Sequence, residues 1–589
     1  MNAGDAAQAG RLVRRRAWPQ LAAVVAGGAV FNCLLAVPIR TPRIFGDELI
    51  YWQLARGFAW TGHFTVRGGA TPRYGVLYPA LLAVAQRVGG DQTTAYVVAQ
   101  GLNAVIFSLA AVPVYAIAAR VLQRRYALLA AVMAVVVPSC VLTSAIMTEN
   151  AFYPLFVTSA LLMLRALERP SVVRQLLVAA SVGAAFLVRA QAVVLLPSYL
   201  MAAILLAVLA SRGRRLSALV ACLRQQATTL AILALAVVTA SAISRSSALG
   251  PYHVLVTSYG LRPLVHWGLA NVADIELYFG VIPLGAFGVL LARTFSSAAL
   301  SAELRGLVLL TVCLASGMLA TVATLSASKY GLDRVHERNL FYLVPLVLIT
   351  FFAWLDIGLP RPPAVTSAVA IILVLLPLTI PLQAVAASSG EDGLALVFWE
   401  DRGVPPRIAV TEMVLVAAAA AGVFLIPWRP KKAMVGICLA AFTIVLVYGE
   451  RHAERGVAAG GGMWQDAGWI DRAVGPDARV VALWGTSKSD LQYSRITGLW
   501  ADEFFNRSLR DVASADGPLP DGLPVRKLRI RPDGCLDATF GRTPQYAVVE
   551  RERPLAAPVV RVSPSKRAIL YRLVPRGSNS RCFARLRQR

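Results

Sequence analysis

The sequence predicts an all-α polytopic membrane bundle of about thirteen transmembrane helices, followed by a small C-terminal extracytoplasmic domain of α/β or β type. Three observations carry this. Hydrophobic residues make up 57% of the 589 positions and charged residues 15%, below the roughly 25% charge of a soluble domain. The apolar residues fall in blocks long enough, at about 1.5 Å per helical residue, to cross about 30 Å of hydrocarbon, where helices satisfy their own backbone groups. From Glu450 that pattern stops, and Pro/Gly turns separate short β-type runs.

The net charge of +26 would suggest nucleic acid in a soluble protein. Here most Arg residues sit in short loops between apolar blocks, where they orient the chain and face anionic membrane lipid. No nucleic-acid partner is expected.

Taken in order, residues 1–17 form a basic N-terminus containing Arg11, Arg14, Arg15 and Arg16, which places it on the cytoplasmic side of a cell membrane. The first span, about 18–38, shows no clear small-residue cleavage site and reads as an anchor. A long outer loop, 39–95, follows. Further spans fall at about 96–119, 127–147, 151–167, 175–188, 192–210, 227–245, 276–292, 306–326, 339–357, 364–385, 408–427 and 433–449, with outer loops at 246–273 and 328–338. The transmembrane domain is thus 18–449. Loops assigned inside carry Arg or Lys clusters. Those assigned outside carry Asp47, Glu48, Glu149, Asp274, Asp333, Glu337, Glu391, Asp392, Glu400 and Asp401. One missed span would invert everything downstream, so this agreement checks the count.

The tail, 450–589, falls outside the membrane. Strands are expected over Ala478–Trp484, Val525–Ile530, Gln545–Glu550, Ala557–Val562 and Ala568–Val574, and an amphipathic helix around Asp502–Asn506. Cys535 and Cys582 both lie there, and an oxidising side permits a disulfide between them. Whether they pair is left open.

The first outer loop is the most informative stretch. Gly46-Asp47-Glu48 opens an amphipathic interfacial helix through Leu49, Trp52 and Ala55, and Leu77-Tyr78-Pro79 opens a second. The acid pair equally suits a solvated helix start. Other polar groups converge on the same membrane face. Glu149 begins the fourth span, Arg189 and Gln191 interrupt an apolar stretch, and Lys329, His336, Glu337 and Arg338 crowd the start of the tenth span. Ionisable groups at membrane depth are costly and have partners or function. For Arg189 the competing reading is a structural ion pair with Glu149, and for 329–338 it is a solvated loop. No His/Cys spacing suggests zinc. Together the acids offer a general base and the cations a dock for phosphate beside lipid. That suits a substrate with a lipid tail and a phosphate head.

On these residues the chain resembles the GT-C glycosyltransferases, polytopic enzymes that use polyprenyl-phosphate sugars and include protein O-mannosyltransferases, aminoarabinose transferases and actinobacterial arabinofuranosyltransferases. The resemblance rests on Gly46-Asp47-Glu48, Leu77-Tyr78-Pro79, Thr148-Glu149-Asn150, Leu187–Gln191 and Glu337–Tyr342. It departs at Asn339, where relatives often carry an aromatic residue after Glu-Arg. It implies an inverting transfer from a polyprenyl-phosphate sugar to a hydroxyl of a glycan, lipid or protein acceptor, with Asp47 as general base. Glu48 or Glu149 would orient the acceptor or the base. Arg338, Arg189 and Lys329 would hold the donor phosphate. Tyr78, Gln191, His336 and Glu337, with His253, Tyr259 and Arg262 of the 246–273 loop, would line the substrate. No cofactor is expected. A divalent metal is possible on the carboxylates but not favoured, because cations for the phosphate are already present. The alternatives are a transporter or flippase of lipid-linked sugars, which would show paired repeats and broken midplane helices, and a non-catalytic assembly protein or receptor using the tail. Sugar and acceptor identities are not readable.

Overall fold

The computed structural model describes residues 3–43, 45–70, 75–211, 213–242, 260–296, 300–328, 330–386, 390–426, 431–459, 467–484, 492–515, 517–519, 523–540, 543–551, 554–573 and 582–586. These fall into two compact units. One comprises 1–37, 103–144 and 148–453; the other comprises 38–102, 145–147 and 454–589.

The first unit is the helical membrane body. Among the described residues, seven helices are long and apolar enough to cross a membrane, and up to ten if each of three bent pairs counts as one span. Three shorter apolar helices, Val172–Val188, Phe341–Asp356 and Pro363–Thr379, fall where the sequence places its fifth, tenth and eleventh spans. Large apolar side chains such as Leu34, Leu235, Val238 and Leu415 are exposed on these helices. Water does not tolerate so many, whereas lipid does. The chain is a multi-pass membrane protein.

The eighth span differs from its expected form. In place of an outer loop to residue 273, a helix already runs Leu261–Tyr278. A second follows at Ile282–Phe295, bent from the first by 117°. The polar residues Asn271 and Asp274 obscure the first helix in the sequence, but Trp267, Ala270, Ala273 and Leu277 form its buried face. The bend sits at Gly280 and Val281, with φ of 83° and 68°. Such a φ is natural for glycine and strained for a β-branched residue.

Within this unit an aromatic cluster sets the geometry of the polar groups described below. Phe107 packs on Tyr153 at 4.8 Å, Tyr153 on Phe341 at 5.2 Å, and Phe152 edge-on to Tyr342 at 4.8 Å. Helix Glu149–Glu168 is thereby fixed against the start of helix Val344–Asp356.

The second unit joins the first outer loop to the tail. Strands β1 (Thr65–Val66) and β2 (Gly69–Ala70) form a small ribbon. The tail contributes β3 (Val480–Trp484), β4 (Leu509–Ser514), β5 (Arg526–Lys527), β6 (Arg529–Ile530), β7 (Cys535–Asp537), β8 (Tyr546–Glu550), β9 (Val559–Val562), β10 (Ala568–Arg572) and β11 (Cys582–Arg585). A six-stranded sheet has the order β5-β4-β3-β8-β10-β9, and a three-stranded sheet the order β11-β7-β6. The pairs β3–β4, β3–β8 and β4–β5 are parallel, while β8–β10 and β10–β9 are antiparallel. The α/β option is therefore the one observed. The five expected strand segments are present, and β4, β7 and β11 are additional.

Side-chain alternation buries both faces of the larger sheet, as a parallel centre requires. Val480, Ala482 and Val548 pack under Trp469, Ile470 and Ile496 of the covering helices. Val481, Leu483, Ala547 and Val549 pack against Leu528, Leu536 and Ala584 on the other side. Cys535 and Cys582 form a disulfide across a separation of 47 residues, which by loop entropy stabilises the tail by roughly 4 kcal/mol.

The loop helix Phe45–Thr61 is locked to the tail helix Gln492–Phe505. Trp52 stacks on Phe504 at 5.1 Å and donates its indole N–H to the Phe504 carbonyl at 3.0 Å. Arg67 meets the Glu503 carboxylate through two hydrogen bonds of 2.7 and 2.8 Å. The ion pair is fully buried, and its bidentate geometry offsets the desolvation cost.

Candidate active site

The membrane unit gathers a polar cluster around Glu149. Helix Val172–Val188 ends because Arg189 turns extended, at φ −151° and ψ 126°, before a short turn over Ala190–Val194. The Arg189 side chain pairs with Glu149 Oε1 at 3.0 Å. It donates to Thr148 Oγ1 at 2.9 Å, to Gln191 Oε1 at 3.2 Å and to Asn339 Oδ1. Gln191 in turn donates to the Asn339 carbonyl at 3.0 Å and to Thr321 Oγ1 at 3.3 Å. The structural pairing of Arg189 with Glu149, one of its two sequence readings, is thus present.

Arg338 approaches the same Glu149 oxygen at 3.9 Å and meets Asp392 Oδ1 at 2.8 Å. Asp392 also lies 3.7 Å from Arg334 and 3.5 Å from His336 Nδ1. Burial alone would raise the Asp392 pKa, but Arg338, His336 and Arg334 outweigh it and hold the carboxyl well below the usual range. Asp392 is therefore ionised at neutral pH. The backbone beneath is fixed by Asn271, whose Oδ1 accepts from His336 N at 2.8 Å, while the His336 ring Nε2 lies 3.2 Å from the Gly331 carbonyl.

The charge count decides what the cluster can do. Three guanidinium groups, of Arg189, Arg334 and Arg338, face two carboxylates, of Glu149 and Asp392. Glu337 is fully buried, accepts the Ala395 N–H at 2.9 Å, and is pushed upward by burial and by Asp274. Among the described residues, the guanidinium groups of these ion pairs outnumber their carboxylates. The Glu149 carboxylate is wholly buried, while the Arg189 and Arg338 side chains each retain 15% exposure. The Asp392 side chain keeps 16%, so an incoming anion meets it together with the two guanidinium forks, whose planar geometry matches phosphate.

Asp47 lies in the first turn of helix Phe45–Thr61 and is partly exposed. Its neighbour Glu48 is fully buried. Glu48 accepts from Arg43 N at 2.7 Å, from Ile146 N at 2.8 Å and from the Tyr96 hydroxyl at 3.2 Å. That carboxylate anchors the helix start that carries Asp47.

The remaining sequence candidates divide. Gln191 and His336 belong to the cluster. Glu337 is sequestered behind it. Tyr78 is fully buried, edge-on to Tyr51 at 5.9 Å, and packs the core of the second unit. Arg262 is exposed in the first turn of helix Leu261–Tyr278, where a loop was expected. Lys329, His253 and Tyr259 lie outside the described residues. Sequence reasoning did not assign Asp392, Asn339, Thr148 or Arg334 to the site. Asp392 carried a signal, as one of the acids in the outer loops. Thr148 and Asn339 stood in quoted motifs and Arg334 in the 329–338 segment, but no local pattern gave them a role, because their partners lie far along the chain. Among the described residues, no group of three His, Cys, Asp or Glu side chains is arranged to hold a metal.

Residues 74–244 match the family model described as dolichyl-phosphate-mannose-protein mannosyltransferase. The matched segment contains Tyr78, Glu149, Arg189 and Gln191, and excludes Asp47 and Arg338. Among solved structures, the chain is similar to ArnT from Cupriavidus metallidurans bound to undecaprenyl phosphate, with a TM-score of 0.50, 13% identity, and coverage of 93% of this chain and 97% of that one. The same ArnT in the apo state gives a TM-score of 0.48, 14% identity and the same coverage. The archaeal oligosaccharyltransferase AglB from Archaeoglobus fulgidus gives a TM-score of 0.35 and 14% identity, over 89% of this chain and 69% of that one. No curated protein matches the chain. The chain is thus similar in fold to ArnT, and one segment of it matches a mannosyltransferase family model.

Proposed function

We propose that this chain transfers a sugar from a polyprenyl-phosphate donor to a hydroxyl acceptor on the outer face of the cell membrane, with inversion at the anomeric carbon. The observation that carries the reading is the gathering of Arg189, Arg334 and Arg338 on Glu149 and Asp392 within a membrane unit, with the Arg189 and Arg338 side chains still partly exposed. A lipid phosphate is the anion most available at that depth. ArnT, solved with undecaprenyl phosphate bound, supports the same donor class.

In this reading Asp47 accepts the proton of the acceptor hydroxyl as its oxygen attacks the anomeric carbon. The bond to the phosphate oxygen breaks on the opposite face, and polyprenyl phosphate leaves with the electron pair. Arg338 and Arg189, with Lys329, stabilise the charge that grows on the leaving phosphate. Glu149 holds both forks in place, and Glu48 fixes the helix start that presents Asp47. Gln191 and His336 support the arginines. His253, Tyr259 and Arg262 remain candidates for the sugar. No metal is needed where guanidinium groups already neutralise the phosphate. The N-terminus lies in the cytoplasm and the tail outside.

The test is purified Asp47→Asn protein given a lipid-linked sugar donor and a hydroxyl acceptor. It should bind donor normally and form the glycosidic product about 10²–10⁴-fold more slowly, the usual worth of a positioned base. Transfer near the wild-type rate removes Asp47 from the mechanism. Relocation of the donor without a new glycosidic bond, in the wild type, makes the chain a flippase instead.

A further inference from the structure

Of the cavities of the second unit that the transfer reading does not use, one is rich in arginine. It measures about 630 Å³, and Arg56, Arg67, Arg507, Arg510, Trp60 and Phe64 are among its lining residues. Among the described residues, no acidic side chain lines it. Two of the four guanidinium groups are matched: Arg67 by the Glu503 carboxylate, and Arg507 by Asp477 at 2.7 Å. Arg507 is held further by the Trp60 ring, 4.3 Å from its centroid.

The other two have no carboxylate in direct ion-pair contact among the described residues. Arg56 is buried and donates only to backbone carbonyls, of Glu503 at 2.9 Å and Asn506 at 3.1 Å. Arg510 is exposed and donates to the carbonyl of Arg507 at 3.4 Å. Neither forms an ion pair among the described residues. Burial lowers Arg56 to about 10 against the attraction of Asp471 and Glu503, with smaller contributions from Arg510 and Arg507, which leaves it charged at neutral pH. Four arginines gathered at a cavity with no acidic lining residue among the described ones suit an anion. A phosphate monoester carries about two negative charges at neutral pH and offers the oxygens that guanidinium forks take up. The volume lies within the roughly 300–1,000 Å³ of small-molecule sites, so the phosphate would be carried on a larger group.

We infer that this cavity binds a phosphate monoester borne on a sugar or a lipid head, with Arg510 as its principal contact and Arg56 supplying the second charge. The site is independent of the transfer reading, because binding is its readout.

The experiment is calorimetric titration of the purified full chain in detergent with glucose 1-phosphate, with short-chain phosphatidic acid, and with glucose as the uncharged control. Wild-type protein should bind at least one phosphate probe and not glucose. Arg510→Ala should weaken that probe tenfold or more, and Arg510→Lys should retain part of the affinity. Binding of glucose 1-phosphate alone identifies a phosphorylated glycan as the source; binding of phosphatidic acid alone identifies a lipid head. Absence of binding to both probes, or equal affinity in the folded Arg510→Ala variant, overturns the assignment.

Discussion

Removing Arg189 probes the cluster most sharply, because its three hydrogen bonds and its ion pair all converge on groups that the phosphate dock requires. In Arg189→Ala the buried Glu149 loses its partner at 3.0 Å and keeps Arg338 at 3.9 Å. At an effective dielectric of about 20, unit charges at those separations attract by roughly 5 and 4 kcal/mol respectively. Arg338 therefore retains much of the field, and the loss should sit at or below the lower end of the range for a broken buried pair, about 3 kcal/mol. In the Arg189→Ala background, Glu149→Gln removes the uncompensated charge and should recover part of that loss. Reversible SDS unfolding of the four proteins of this double-mutant cycle should give a coupling of about 1–3 kcal/mol. Losses that simply add would show that the two side chains do not depend on each other, and the cluster would lose its central contact.

Two further perturbations address separate parts of the account. Arg338→Ala should raise the KM for the lipid-linked donor about tenfold or more, from loss of a charged hydrogen bond, with a smaller effect on acceptor KM; an unchanged donor KM and kcat would remove Arg338 from the site. In the tail, burial and the adjacent Glu503 push Asp502 up to about 7, although the Trp469 indole N–H draws it back. A carboxyl raised in the folded state binds its proton there before it does in the unfolded chain. Stability should therefore fall as pH rises from about 4 to about 7. Asp502→Asn should flatten that slope in thermal unfolding measured across this window.

Much of the architecture was legible because a bilayer forces simple patterns. Apolar length located the seven long apolar helices among the described residues, and period-two runs located five strand segments of the tail. Arg189 stood out because its flanks are apolar, and its pairing with Glu149 was one of two readings that a lone buried cation permits. What the sequence hid depends on long-range contact. Arg67 and Glu503 are 436 residues apart, so nothing local shows that the first loop and the tail share a core. Arg334 and Asp392 join the cluster only through folding. The helix from Leu261 was hidden by Arg262, His266, Asn271 and Asp274, whose polarity reads as loop, and the 117° bend after it rests on a valine in a backbone region it seldom adopts. Glu48 read as half of an acid pair with Asp47, yet the two differ wholly in burial. One is a saturated anchor and the other is partly open.

A structure of this chain with a polyprenyl phosphate bound would test the central claim most directly. The account predicts the phosphate within hydrogen-bonding distance of Arg338 and Arg189, with the Glu149 and Asp392 pairs loosened to admit it. A phosphate seated elsewhere, with both arginines still closed on their carboxylates, would contradict it.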